Sequence, residues 1–114
     1  MSSILVYITA PDMDTARKIG RTVVENKLAA CVNMLPGMES VYWWSGAVCT
    51  GQEVVLIAKT RADLWDKLRA CVCAVHPYEV PCIVRVNLDG GHEAFLRWIA
   101  AETREGQHAQ NEPE

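Results

Sequence analysis

Nowhere in the 114 residues does an apolar run approach the roughly 18 to 20 positions that a membrane-spanning helix needs, so a spanning segment is not expected. An excess of positive charge is missing too. Eleven Lys and Arg stand against 14 Asp and Glu, a net charge of −3 at pH 7. That balance lacks the basic surplus with which a nucleic-acid binder neutralises phosphates, so no nucleic acid is expected as partner. There is no CxxC pair, and the five cysteines (Cys31, Cys49, Cys71, Cys73, Cys82) are odd in number. A closed disulfide framework would leave a thiol over, so reduced and mostly buried thiols are expected. Gly-rich phosphate-cradling loops are absent, as is a basic segment of signal-peptide type before Ile4. The expectation is a cytoplasmic protein.

Half the residues are apolar and 22% are charged, which suits a folded globular chain of one domain. From Glu105 onward only Ala109 is aliphatic, so residues 1–104 read as the domain and 105–114 as a flexible C-terminal tail.

Residues 4–8 (Ile-Leu-Val-Tyr-Ile) are β-branched and aromatic and read as a strand, with Pro11 placed for the first turn of a helix. From Met13, the positions Ala16, Ile19, Gly20, Val23 and Val24 recur near the 3.6-residue period of a one-sided helix. Two extended pieces, from Ala29 and from Ser40, flank Pro36-Gly37 and read as one long bent strand. The turn residues Ser45-Gly46 make residues 41–59 a hairpin. Leu64, Leu68, Cys71, Val72 and Val75 then mark a helix with Asp63 as its cap, ending near His76 because Pro77 disfavours helix in the preceding residue. Val80 to Leu88 reads as a strand, and Phe95 to Ile99 as a last helix. The order β-α-β-β-α-β plus a C-terminal helix is the α+β, ferredoxin-like sandwich.

In such a fold both helices cover one face of the sheet, so its strands should alternate apolar with polar. These do not: Leu5 and Tyr7 lie opposite Ile4, Val6 and Ile8, and the neighbours Trp43 and Trp44 must point to opposite faces. Leaving such a second face in water would expose a patch that monomers rarely tolerate. Self-association is the economical cover, and the C-terminal helix folding over that face is the other.

The segments Cys31-Val-Asn-Met-Leu-Pro-Gly37, Tyr42-Trp-Trp-Ser-Gly46, Lys59-Thr-Arg61 and His76-Pro-Tyr-Glu-Val-Pro81, with Thr9-Ala-Pro-Asp12 and Lys27-Leu-Ala-Ala-Cys31, together resemble the CutA divalent-cation tolerance family from Leu5 to Ile99. The resemblance implies a tight homotrimer similar to the PII signalling proteins, with clefts between subunits. It also implies a non-enzymatic role in divalent-metal tolerance, with copper binding. Some members of that family carry a Cys before Thr-Ala-Pro and a His-His pair before Pro-Tyr as proposed copper ligands. Here those positions hold Ile8 and Val75, and only His76 remains.

Two prolines bracket His76 to Pro81 and restrict its backbone, so an imidazole, a phenol and a carboxylate are presented rigidly. They suit a divalent ion or a polar small molecule. Equally, His76 can satisfy a helix C-terminus while Tyr78 and Glu79 make subunit contacts. Lys59 ends an apolar strand, where it can receive an anion or pair with Glu79, or stand as a solvated strand end. Cys71 and Cys73 lie about 200° apart around a helix and read as core filling, not as a metal pair. The expected site is an inter-subunit cleft with Lys59 and Tyr78, Trp44 as an apolar wall, and neutral His76 and ionised Glu79 as metal ligands completed by a neighbour or water. Two alternatives stand beside it: a thiol-dependent enzyme using Cys31 with His76 as base, and a structural trimer that binds another protein.

Overall fold

The structure, a computed structural model, describes residues 2–104. The tail 105–114 expected from composition lies outside the described residues. The elements are β1 (Ser3–Ala10), α1 (Met13–Glu25), β2 (Cys31–Trp44), β3 (Ala47–Arg61), a 3-10 turn (Ala62–Leu64) leading into α2 (Trp65–Val75), β4 (Ile83–Asn87) and α3 (Glu93–Glu102). The strands form one sheet in the order β2-β3-β1-β4, every neighbouring pair antiparallel. This is the ferredoxin-like α+β arrangement with an additional C-terminal helix. Among the described residues no helix is long and apolar enough to cross a membrane.

One face of the sheet makes the core. Ile4, Val6, Ile8 and Ala10 of β1 stand opposite Thr60, Ala58, Leu56 and Val54 of β3, and all are buried. Against them pack Ala16, Ile19 and Val23 from α1, and Leu68 and Val72 from α2, as the helical period requires. Pro11 lies outside the helix, two residues before its first residue Met13 and just before the cap, not in the first turn as expected. Asp12 is the cap, and its carboxylate accepts the Thr15 N–H at 2.8 Å. The Thr15 backbone and hydroxyl bonds hold the Asp12 carboxyl below the usual carboxylate range. At the other end, Leu28 N–H reaches Val23 O at 2.9 Å and Lys27 N–H reaches Val24 O at 3.0 Å. Lys27 takes φ 63°, so the chain reverses through a Schellman motif with a lysine where glycine is usual.

Three boundaries differ from expectation. Asp63 does not cap α2: the 3-10 turn moves the helix start to Trp65, and Asp63 pairs with Arg61 at 3.5 Å instead. β4 begins at Ile83, not Val80, because Pro81 has no N–H to give to the ladder. Cysteine burial is also overturned in the single chain: Cys31, Cys49 and Cys71 are half-buried, Cys73 and Cys82 are exposed, and all are free. Cys71 still packs against the core.

The long bent strand is present. The β2 register slips between Leu35 and Met38, where Gly37 adopts φ 84°, and the strand continues to Trp44. Ser45 and Gly46 at φ 52° and 79° make the two-residue turn that matches the twist of the flanking strands. Because the β1 ladder ends at Ala10 opposite Val54, the rest of the hairpin pairs only with itself and projects as a two-stranded arm. Its apolar residues stay outside, Val41 at 71% and Trp43 at 74% exposure. The second sheet face is apolar too, with Leu35, Val84 and Val86 about half exposed. α3 packs against β1 and β3, buries Ile99, and receives an Arg61 guanidinium bond at the Thr103 carbonyl. It thus covers the Ser3/Arg61 end of that face and leaves the remainder open.

Candidate functional site

A cleft of about 680 Å³ opens where the arm leaves the sheet. The register puts Met38, Ser40, Tyr42 and Trp44 of β2 on the second face, together with Glu53 of β3 and with Tyr7 and Thr9 from the end of β1. The bulge at Pro36-Gly37 is what sets this phase, since one extra residue re-aims every side chain beyond it. The segment from Pro77 to Val80, together with Cys82, supplies the opposing wall.

His76 anchors that wall. It ends α2 in an extended conformation, φ −81° and ψ 135°, as the following proline demands. Its Nδ1 accepts the Tyr78 N–H at 3.1 Å, so Nε2 carries the ring proton and donates it to the Thr9 carbonyl at 2.7 Å. Both ring nitrogens of this buried, neutral imidazole are therefore engaged. The Tyr78 ring lies against it, centroids 4.8 Å apart, and the phenol donates to Glu53 Oε2 at 3.0 Å. Ser40 Oγ donates to Glu53 Oε1 at 2.8 Å, and Tyr7 donates to Met38 Sδ at 3.3 Å.

The electrostatics follow from this packing. Burial, with the Glu53 hydrogen bond and its negative charge, pushes the Tyr78 phenol up to about 12. Burial and then Glu53 also raise the Cys82 thiol, against a smaller opposing bond with Thr9. The cleft thus holds a protonated phenol, a neutral thiol and a carboxylate with both oxygens satisfied. None of these groups is an activated nucleophile.

Of the five residues singled out from sequence, Trp44, Tyr78 and Glu79 line this cleft, and His76 sits behind it, bonded to its wall. Lys59 lies elsewhere in the chain. It stands between Leu5 and Cys31 and donates to Asn33 Oδ1. Strands β3 and β4 run parallel, joined by the α2 crossover, so the end of one and the start of the other fall at opposite ends of the sheet. The same reason separates Cys31 from His76, which meet no closer than the two ends of β1 in one protomer. Glu53, Ser40, Tyr7, Tyr42 and Cys82 were not anticipated. Glu53 carried a signal, an acid on the face shared by Val55 and Ile57 in an otherwise apolar strand.

Among the described residues, no group of three His, Cys, Asp or Glu side chains gathers closely enough to hold a metal ion. A site built from the described residues of one protomer therefore does not fit a resident divalent cation, and further donors would have to complete it.

Residues 4–102 match the family described as CutA1 divalent ion tolerance protein. The chain is 45% identical over 103 residues to the rice protein named CutA 1, chloroplastic; the match covers 90% of this chain and 58% of that protein, so the chain spans less than two thirds of this plant relative. It is 41% identical to the divalent-cation tolerance protein CutA of Pyrococcus horikoshii, covering 89% of this chain and 98% of the other. The crystal structure of CutA1 from Oryza sativa superposes with a TM-score of 0.89 at 43% identity, covering 93% of this chain and 97% of that one.

Proposed function

Since the chain belongs to the CutA1 divalent ion tolerance family, we propose that it serves divalent-cation tolerance as a homotrimeric, non-enzymatic binding protein of the cytoplasm. Its cleft lies between subunits and takes a divalent cation, copper first, or a small ligand. The observation that carries the reading is the doubly apolar sheet: Leu35, Val84 and Val86 on the second face, and Val41 and Trp43 on the other side of the arm, leave more apolar surface in water than a protomer alone usually carries. A closed ring of three buries such a surface without leaving an edge. Five free cysteines with no disulfide among them support a reducing compartment.

For copper, Glu79 is the exposed ligand at the cleft mouth. His76 joins it only by releasing the Tyr78 N–H, so a two-ligand site is weak unless a neighbouring subunit adds donors. The geometry favours the small-ligand branch, because Glu53, Tyr78 and His76 already have hydrogen-bond partners and Cys82 holds its proton, which leaves Glu79 as the one exposed carboxylate of the cleft.

Sedimentation equilibrium tests the assembly, and a monomer at micromolar concentration overturns it. Equilibrium dialysis of the purified protein against copper, zinc and other divalent ions, with total metal analysis, tests the cargo. His76→Ala and Glu79→Gln are compared as intact trimers. Loss of affinity in both supports metal at the cleft, whereas unchanged affinity moves metal binding to the thiols.

A further inference from the structure

The side chains lining the cleft include four aromatic rings, Tyr7, Tyr42, Trp44 and Tyr78, and two carboxylates, Glu53 and Glu79, with no Lys, Arg or His among them. Such a wall repels anions and attracts cations. A volume of about 680 Å³ is in the usual range for small-molecule pockets, far more than a bare ion occupies.

The kind of cation follows from the state of the donors. A divalent ion asks for several unprotonated ligand atoms converging on one point. Here both Glu53 oxygens already accept hydrogen bonds, from Ser40 and Tyr78. The Tyr78 phenol is a donor in use, and no trio of ligand side chains converges among the described residues. An organic ammonium makes no such demand. Its charge is spread over a methylated surface, it sheds water readily, and it is held by ring faces and by carboxylates that need not touch it. Tyr42 and Trp44 offer that surface, being 46% and 48% exposed in the single protomer.

We propose that the cleft is a binding site for organic ammonium cations of the trimethylammonium class, with the rings of Tyr42, Trp44 and Tyr78 as the walls and Glu53 and Glu79 as the countercharge. This rests on the reading of the cleft as a small-ligand site and names the class of ligand. Glu53 is fixed in place at the floor by Ser40 and Tyr78, while the exposed Glu79 stands at the rim.

Calorimetric titration of the full chain with choline, and with dimethylbutanol, its neutral isostere bearing a tert-butyl group, isolates the contribution of the charge. Choline is expected to saturate the cleft and the isostere to bind at least about tenfold more weakly. Glu79→Gln, at an exposed position, should weaken choline severalfold and leave the isostere unchanged. Trp44→Leu should weaken both, with circular dichroism confirming that each variant is folded. Equal affinity for choline and the isostere, or no saturable choline binding, overturns the proposal. If divalent ions bind the trimer while choline does not, the ammonium assignment fails and the functional reading above survives. If choline binds selectively to a protein that sediments as a monomer, the assignment stands and the trimer reading fails.

Discussion

The Tyr78 phenol donates to Glu53 Oε2 at 3.0 Å across 25 positions of sequence, tying the proline-bracketed loop to the strand at the base of the arm. The bond makes one wall of the cleft depend on the other. Removing it with Tyr78→Phe leaves a partly buried carboxylate oxygen without its donor and should lower unfolding free energy by about 1–2 kcal/mol, read from urea denaturation. Glu53→Gln, which can still accept, should cost less.

The same contact dictates an alkaline limit. The folded Tyr78 phenol is raised from 10 to about 12, so the native state holds this proton more tightly than the unfolded chain does. Its contribution is complete below pH 10 and is lost as pH rises through about 12. Ultraviolet titration of the three tyrosines should show one ionising last, near 12, and that step should vanish in Tyr78→Phe.

His76 is expected to be a neutral imidazole protonated at Nε2, visible as that tautomer in nitrogen NMR at neutral pH. His76→Ala strips partners from the Thr9 carbonyl and the Tyr78 amide together. A loss of about 2–3 kcal/mol is expected, with faster hydrogen exchange at Tyr78 than in the wild type.

At the end of α1, Lys27 at φ 63° occupies backbone space that glycine enters without the Cβ clash. Lys27→Gly should raise stability by about 1 kcal/mol in chemical denaturation, an uncommon sign for a substitution to glycine. A loss of stability would show that the Schellman reversal is not strained.

Burial raises the thiols of Cys71 and Cys82, in Cys82 with help from Glu53. A raised pKa means less thiolate at neutral pH. Iodoacetamide should therefore modify these two more slowly than an unhindered thiol at pH 7, with rates still climbing above pH 9. A fast-reacting cysteine among them would revive thiol chemistry.

Much of this architecture was legible from local chemistry. Pro36-Gly37 announced the bend, Ser45-Gly46 the turn, and Pro77 the end of α2, because each acts through its own backbone torsions. Apolar residues on both faces of β1 announced the open second face. What stayed hidden depended on relations between distant segments. Lys59 and the His76–Pro81 segment both flank strands, but only the parallel sense of β3 and β4 shows that they flank opposite ends. Glu53 became a site residue because the bulge at Pro36-Gly37 turns Met38 and Ser40 of the neighbouring strand onto its face, and through a partner on another element. Asp63 was misplaced because a 3-10 turn leaves little trace in hydrophobic periodicity.

The arm has a consequence for how the chain behaves on dilution. A ribbon only two strands wide, with no helix among the described residues laid across it, lies below the width at which a sheet is stable on its own. Its backbone bonds are complete, but Val41, Trp43 and Val48 gain little by staying in register within a lone protomer. Any surface that covers them binds the ordered arm and not the frayed one, so arm order follows mass action. With a second copy as that cover, as proposed above, protomer concentration becomes a variable of the fold itself, and the melting temperature is expected to climb as the solution is made stronger. On dilution the tip at Ser45-Gly46 is then expected to open first, with the core between β1, α1 and α2 still closed.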